Sequence, residues 1–219
     1  MLGLEGNVTP ALATSFQVYS KDYTSITLYN PSKLFPSDPD YLSGTGNAYG
    51  AEALLRFSSP VIDIYGSYAF ASVRVSLPGL SYYPRYDRRH AIKALATFHM
   101  VEGLEATLRW EYGSGYPYSQ STGFYTRLAL SNIDTDPLPE GGGDLIQTYG
   151  AKNAARLPAY HRLDGGVTYR VTLGGLRGML GVSVMNLYNA RNILYYDRAA
   201  RKTVYMIPFF PTASLTVEF

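Results

Sequence analysis

The sequence predicts an all-β fold, an antiparallel up-and-down transmembrane β-barrel, and three observations carry that prediction. Apolar and polar residues alternate with period two in segment after segment. Over the last eight residues Ala213, Leu215, Val217 and Phe219 take one face, and Thr212, Ser214, Thr216 and Glu218 the other. Such a pattern sets one side-chain row against hydrocarbon and the other in a polar lumen. No run of about 20 apolar residues offers a membrane helix, which leaves strands as the means of spanning a bilayer. The 219 residues include 21 tyrosines, an excess that aromatic girdles at two bilayer interfaces account for.

Eight strands are expected, in chain order. Ala11 to Tyr29 comes first. Gly46 to Phe57 turns Tyr49, Ala51, Ala53, Leu55 and Phe57 away from Glu52 and Arg56, and Val61 to Ser76 follows a tight turn at Ser58-Ser59-Pro60. In Arg88 to Val101, Ile92, Ala94, Ala96, Phe98 and Met100 oppose Arg89, Lys93, Thr97 and His99. Leu104 to Tyr118 alternates Leu104, Ala106, Leu108, Trp110 and Tyr112 with Glu105, Thr107, Arg109 and Glu111. Arg156 to Leu173 alternates Leu163, Val167, Tyr169, Val171 and Leu173 with Arg162, Asp164, Thr168, Arg170 and Thr172. Arg177 to Asn189 and Lys202 to Phe219 complete the set.

The connections fall into two classes that alternate strictly. Ser58 to Pro60, Glu102-Gly103 and Gly174 to Leu176 are tight; Pro31 to Thr45, Leu77 to Asp87, Ser119 to Ala155 and Ala190 to Arg201 are long. Outer-membrane barrels have short periplasmic turns and longer extracellular loops, so Phe219 is expected on the periplasmic side. The longest loop carries Pro137, Pro139 and Gly141-Gly142-Gly143, a composition that suits several conformations. A soluble sandwich would alternate too, with its charged face in water. The long apolar faces, the gathering of both charge signs on the opposite face and the tyrosine content favour the membrane.

Composition narrows the function. A net charge of +2 without a basic cluster gives no reason to expect nucleic acid, and the absence of cysteine is ordinary for a barrel. Met1-Leu2-Gly3-Leu4-Glu5 has neither the basic nor the apolar region of a secretory signal. Glu52, Arg56, Lys93, Glu105, Arg109, Glu111, Arg162, Asp164 and Arg170 are read as a lumen charge network that stabilises the wall, because opposite charges on adjacent strands offset one another. The other reading of Arg162, Asp164 and Arg170 is contact with a plug or a substrate. His90, His99 and His161 lack the spacing of a metal motif, and no serine stands out as a nucleophile, so no metal, cofactor or catalysis is expected. Gly141-Gly142-Gly143 precedes neither a Lys-Ser pair nor a helix and is no phosphate loop. Gly165 and Gly166 lie inside a strand pattern, where a bulge or a close backbone approach is expected.

Longer motifs add a family resemblance. Asn153-Ala154-Ala155-Arg156-Leu157-Pro158-Ala159-Tyr160-His161-Arg162-Leu163-Asp164, Val184-Met185-Asn186-Leu187-Tyr188-Asn189, Pro208-Phe209-Phe210-Pro211 and the final Phe219 resemble the end of a TonB-dependent outer-membrane receptor. Tyr49-Gly50-Ala51-Glu52, Asp87-Arg88-Arg89-His90 and Gly113-Ser114-Gly115-Tyr116-Pro117-Tyr118-Ser119 fit the same order upstream, in a version similar to receptors of the Bacteroidetes-like type. The resemblance implies a barrel of about 22 strands filled by an amino-terminal plug, importing a scarce nutrient such as a siderophore, vitamin or glycan with energy passed on by TonB. The expected eight strands would be the last eight. The plug and TonB-binding box have no counterpart in these residues, so a partial barrel from residue 1 to 219 is expected, touching the TonB complex only through the missing part.

The same resemblance gives the last strand a role: Leu215, Val217 and Phe219 look like the signal read by the barrel-assembly machinery, through strand addition. Outer-membrane lipid is the other expected partner. Loop tyrosines are candidates for ligand contact or for girdle and loop packing; Tyr82, Tyr83, Tyr195 and Tyr196 lie farthest from the strand ends and are the ligand candidates, while Tyr116 and Tyr118 fit the girdle better. Two rival readings stay open, a complete eight-stranded barrel serving adhesion or interaction, and an outer-membrane lipid-modifying enzyme.

Overall fold

A computed structural model describes residues 1–30, 32–126, 145–173, 175–197, 200 and 202–218. Its elements are all strands: β1 (Leu2–Thr9), β2 (Leu12–Tyr29), β3 (Tyr41–Ser58), β4 (Ile62–Leu77), β5 (Leu80–Tyr82), β6 (His90–Val101), β7 (Leu104–Gly113), β8 (Pro117–Tyr118), β9 (Ser121–Thr126), β10 (Leu145–Tyr149), β11 (Ala155–Arg156), β12 (Tyr160–Leu173), β13 (Leu176–Met185), β14 (Ile193–Asp197), β15 (Lys202–Tyr205) and β16 (Phe210–Glu218). One antiparallel sheet runs β1-β2-β3-β4-β6-β7-β12-β13-β16, with β5 folded back on β4. Among the described residues no ladder joins β1 to β16, so the sheet is open and these two strands are its edges.

Nine long strands therefore stand where eight were expected. The addition is β1, in which Leu2, Leu4 and Val8 alternate with Gly3, Glu5 and Asn7; Gly3 and Gly6 thin the pattern, but pairing with β2 from Leu2↔Val18 to Thr9↔Leu12 holds it in place. Other boundaries move as well. β3 begins at Tyr41, inside the expected first long loop. Pro158 divides β11 from β12, and Pro208 lies between β15 and β16, because proline cannot donate to a ladder. The long connections carry small pieces of their own: β5, the β9–β10 hairpin, the β8–β11 bridge and the β14–β15 hairpin. Pro137, Pro139 and Gly141 to Gly143 lie outside the described residues, as does Phe219.

The strict alternation of connections persists. Residues 10–11, 59–61 and 102–103, with Gly175, lie at one end of the sheet, and the extended connections leave from the other. Gly103 shows why the short turns are specific: its φ of 79° is left-handed, and an added Cβ would run into the carbonyl oxygen of Arg170.

Register puts the predicted faces together. Lys93 lies opposite Glu111, which lies opposite Arg162; Arg109 faces Asp164, and His99 faces Glu105. On the other face of the same strands, Trp110 pairs with Ala94 and Leu163, and Leu108 with Ala96 and Gly165. The apolar row continues through Val167↔Val182↔Ala213 and Tyr169↔Leu180↔Leu215 to the edge. Among the described residues no layer packs on it: Leu215 is 71% exposed, and Val182 52%. Gly165 and Gly166 sit in unbroken register with both neighbours, so the expected bulge is absent, and it is the Leu187 side chain that comes down on Gly165.

Candidate functional site

The polar face starts at the short-turn end with an ion chain. Glu105 of β7 pairs with Arg170 of β12 at 2.9 Å, His99 Nδ1 lies 3.7 Å from the same carboxylate, and His99 Nε2 is 2.8 Å from Asp63 of β4. Ser58 Oγ donates to the other oxygen of Asp63. The acid thus lies between hydroxyl and imidazole, whereas a nucleophilic serine needs the imidazole beside it. Arg162 pairs with Asp164 at 2.9 Å, Arg109 pairs with Glu111, and Gln17 donates to Glu52 at 2.6 Å. No group of three or more His, Asp or Glu side chains gathers for a metal among the described residues.

Farther up, buried polar groups tie the long connections to the sheet. Asp87, with its side chain fully buried, accepts a hydrogen bond from the Val73 amide at 2.6 Å and pairs with both Arg89 and Arg156. Arg156 Nη1 also donates to the carbonyls of Asp87 and Gly115. Asn153 donates from Nδ2 to the Tyr83 carbonyl at 2.8 Å, while its own amide donates to Ser119 Oγ. Asn186 donates to the carbonyls of Ala190 and Ile207, accepts from the Ala190 amide, and gives its own N–H to Asp164 Oδ1. Asn153, Asn186 and Asn189 have φ between 53° and 58°, a left-handed conformation that asparagine tolerates best among residues with a side chain.

Around these nodes cations meet tyrosine rings. Arg74, Arg89 and Arg156 stand 5.8, 4.5 and 5.6 Å from the centroid of Tyr83. Arg88 lies 4.2 Å from the Tyr116 ring and Lys152 Nζ 4.2 Å from the Tyr82 ring. A cavity of about 460 Å³ opens beside them, lined by Arg85, Tyr118, Ser119, Tyr149, Gly150, Lys152 and Asn153. A second, of about 410 Å³, shares Tyr118 and Ser119 and adds Gln120, Phe124, Gln147, Tyr196 and the cross-strand pair Asp197 and Lys202. The Tyr118 and Tyr196 rings are 5.7 Å apart.

Of the sequence candidates, Tyr196 lines this double cleft. Tyr82 and Tyr83 lie under cations at its margin, and Tyr195 is 48% exposed on β14 without lining either cavity. Tyr118 links the two lobes and Tyr116 carries Arg88. Sequence reasoning passed over Arg85 and Lys152, which lie in separate connections and share no local pattern. His90 and His161, two of the three histidines, each meet a tyrosine hydroxyl, of Tyr68 and of Tyr188. Leu215 and Val217 pair with Leu180 and Gly178 on the edge strand.

Comparison with known proteins finds no matching family model and no matching curated protein. Among solved structures the chain is similar to a chain of the FpvAI–pyocin S2 complex, with a TM-score of 0.57 at 15% identity. The likeness covers 97% of this chain and 26% of that one, so the chain spans about a quarter of the length of the structure it matches. At that identity the comparison establishes likeness of fold alone, an antiparallel all-β sheet.

Proposed function

We propose that this chain is a wall segment of a TonB-dependent outer-membrane receptor of the Bacteroidetes-like type, forming carboxy-terminal strands of a larger barrel. The whole receptor takes up a scarce nutrient such as a siderophore, vitamin or glycan, with a plug and TonB contact supplied by the rest of the protein. One observation carries the reading: an open sheet with one continuous apolar face and strictly alternating connections matches, over nearly its whole length, a quarter of a receptor. The long-connection end is then extracellular, and β16 ends in the periplasm, where Leu215, Val217 and Phe219 address the assembly machinery. The charges from Glu52 to Arg170 line the lumen. The role is binding and transport, without catalysis.

The strand count weighs against a complete small barrel. In an up-and-down sheet of nine strands the first and last run parallel, whereas single-chain bacterial barrels close with an even number so that every neighbour is antiparallel. Two open edges in lipid would leave amides and carbonyls unpaired. The test is to tag the natural gene at its carboxy-terminus and fractionate the cells. A product much longer than 219 residues, in the outer membrane and needing TonB for uptake, is expected. A heat-resistant, protease-protected monomer of this length alone would overturn the reading.

A further inference from the structure

We propose that the double cleft at the long-connection end binds a solute carrying an oxyanion next to a flat ring, with Arg85 and Lys152 meeting the anion and Tyr118 and Tyr196 the ring. The inference rests on the receptor reading in taking that end of the sheet as the one open to the medium.

Charge excess is the first support. Arg74, Arg85, Arg88, Arg89, Lys152 and Arg156 cluster around Tyr82, Tyr83, Tyr116 and the smaller connections, and the described residues give them one carboxylate in ion-pair contact, Asp87. That carboxylate is already shared by Arg89 and Arg156 and has no exposed surface. Three guanidinium groups within 6 Å of one ring centroid repel one another, and an incoming anion offsets that repulsion. Arg88 Nε is buried without a hydrogen-bond partner, a further sign that this positive group is not saturated from within.

Shape is the second support. The cluster borders a cavity that two of its cations, Arg85 and Lys152, line directly, and among the described residues no carboxylate lines that lobe. Volumes of about 460 and 410 Å³ suit small ligands. The adjoining lobe is of a different character: Tyr118 and Tyr196 present rings to it, and Gln120 and Gln147 offer amides that orient hydroxyls or carbonyls. Tyr118 belongs to both lobes, so a ring stacked on it places a substituent at the cationic end. Carboxylate, sulfate and phosphate share the required chemistry.

The test uses the natural full-length protein, purified from outer membranes in detergent, and titrates phenyl phosphate against the neutral phenyl glucoside by calorimetry. Phenyl phosphate is expected to bind more tightly and to weaken as salt rises. The double variant Arg85→Gln, Lys152→Gln is expected to lose about tenfold or more in phenyl phosphate affinity while leaving phenyl glucoside unchanged. Arg85→Lys with Lys152→Arg, which keeps the charge, is expected to restore binding and controls for misfolding. Equal phenyl phosphate affinity in the wild type and the Gln variant would overturn the proposal. So would displacement of phenyl phosphate by anionic-lipid vesicles but not by inorganic phosphate, which would assign the cations to a lipid headgroup. Binding of phenyl glucoside alone would sink the anionic class and leave the receptor reading standing, whereas failure of that reading shows separately, as a protein absent from the outer membrane.

Discussion

The two halves of the sheet are stabilised in opposite ways. Toward the short turns, one continuous sheet joins nine strands, its apolar face is bare among the described residues and its polar face is laced by ion pairs. Toward the long connections the strands extend and bend, and the buried side chains gather there. Asn30, Ser72, Asp87, Asn153, Asn186 and Asn192 outnumber the buried apolar Ala48, Val75 and Leu77. If the sheet is a barrel wall, as proposed, a hydrocarbon solvent accounts for the contrast: a spanning half would need no core of its own, since lipid would cover its apolar side chains. On that reading the other half projects into water with little apolar surface to bury, and hydrogen-bonded polar nodes hold it instead.

Removing a node is the harshest way to break that comparison. Asp87→Ala leaves Arg89 and Arg156 without their shared carboxylate and the Val73 amide without its acceptor. The guanidinium side chains keep 30% and 29% exposure, so the expected loss is about 2–4 kcal/mol, toward the lower part of the range for broken buried pairs. Denaturant titration of the natural protein in detergent, with protease cleavage followed in the β5–β6 and β8–β11 region, measures it. Early cleavage confined to that region is the expected pattern; simultaneous loss of the whole sheet would mean that the halves are one cooperative unit.

Adjacent residues of β12 sharpen the contrast between faces. Val167 lies in the apolar row and Thr168 on the charged face, opposite Glu105. Val167→Arg is expected to destabilise by about 2–4 kcal/mol in a bilayer if that row meets lipid near the midplane, and Thr168→Arg by less than about 1 kcal/mol. Reversible unfolding in phospholipid vesicles compares the two. Equal effects would mean that the apolar row does not face hydrocarbon.

Asn186 asks less. Asn186→Ala removes a buried side chain bonded to Ala190 and Ile207, and it forces alanine into a left-handed backbone. A loss of about 2–3 kcal/mol is expected, with Asn186→Gly recovering the backbone part. Identical losses for the two variants would show that conformation contributes nothing there.

What could be read in the sequence divides along the same line. Charged positions from Glu52 to Arg170 fall on one face because period-two alternation is a local property, and the register needs only a count of two. β1 escaped because Gly3 and Gly6 carry no side chain to mark a face, and its pairing with β2 is what makes it a strand. The Asp87-Arg88-Arg89-His90 run was visible as a motif, but its partner Arg156 is 69 residues away. Arg85 and Lys152 line one cavity across a comparable gap. Nonlocal nodes become legible only once the ladder brings the connections together.

The smallest effect tests whether the projecting end is stiffened locally as well as by its nodes. In the β2–β3 connection the Asp38 carboxylate accepts hydrogen bonds from the amides of Phe35 and Leu34, each at 2.9 Å, and these bonds hold its carboxyl below the ordinary aspartate range. A depressed folded value means that the contribution to the turn is fully present above the unfolded aspartate pKa of about 3.9 and is lost as pH falls through the lower folded value. The amide protons of Phe35 and Leu34 are therefore expected to shift together in an acid titration, with a midpoint under about 3.9. Asp38→Asn, which cannot ionise, is expected to abolish the step. A midpoint at or above the ordinary value would mean that the turn does not grip the carboxylate in solution, and that this connection depends on Asn30, buried at its base and bonded to Pro39 and Ser32, for its shape.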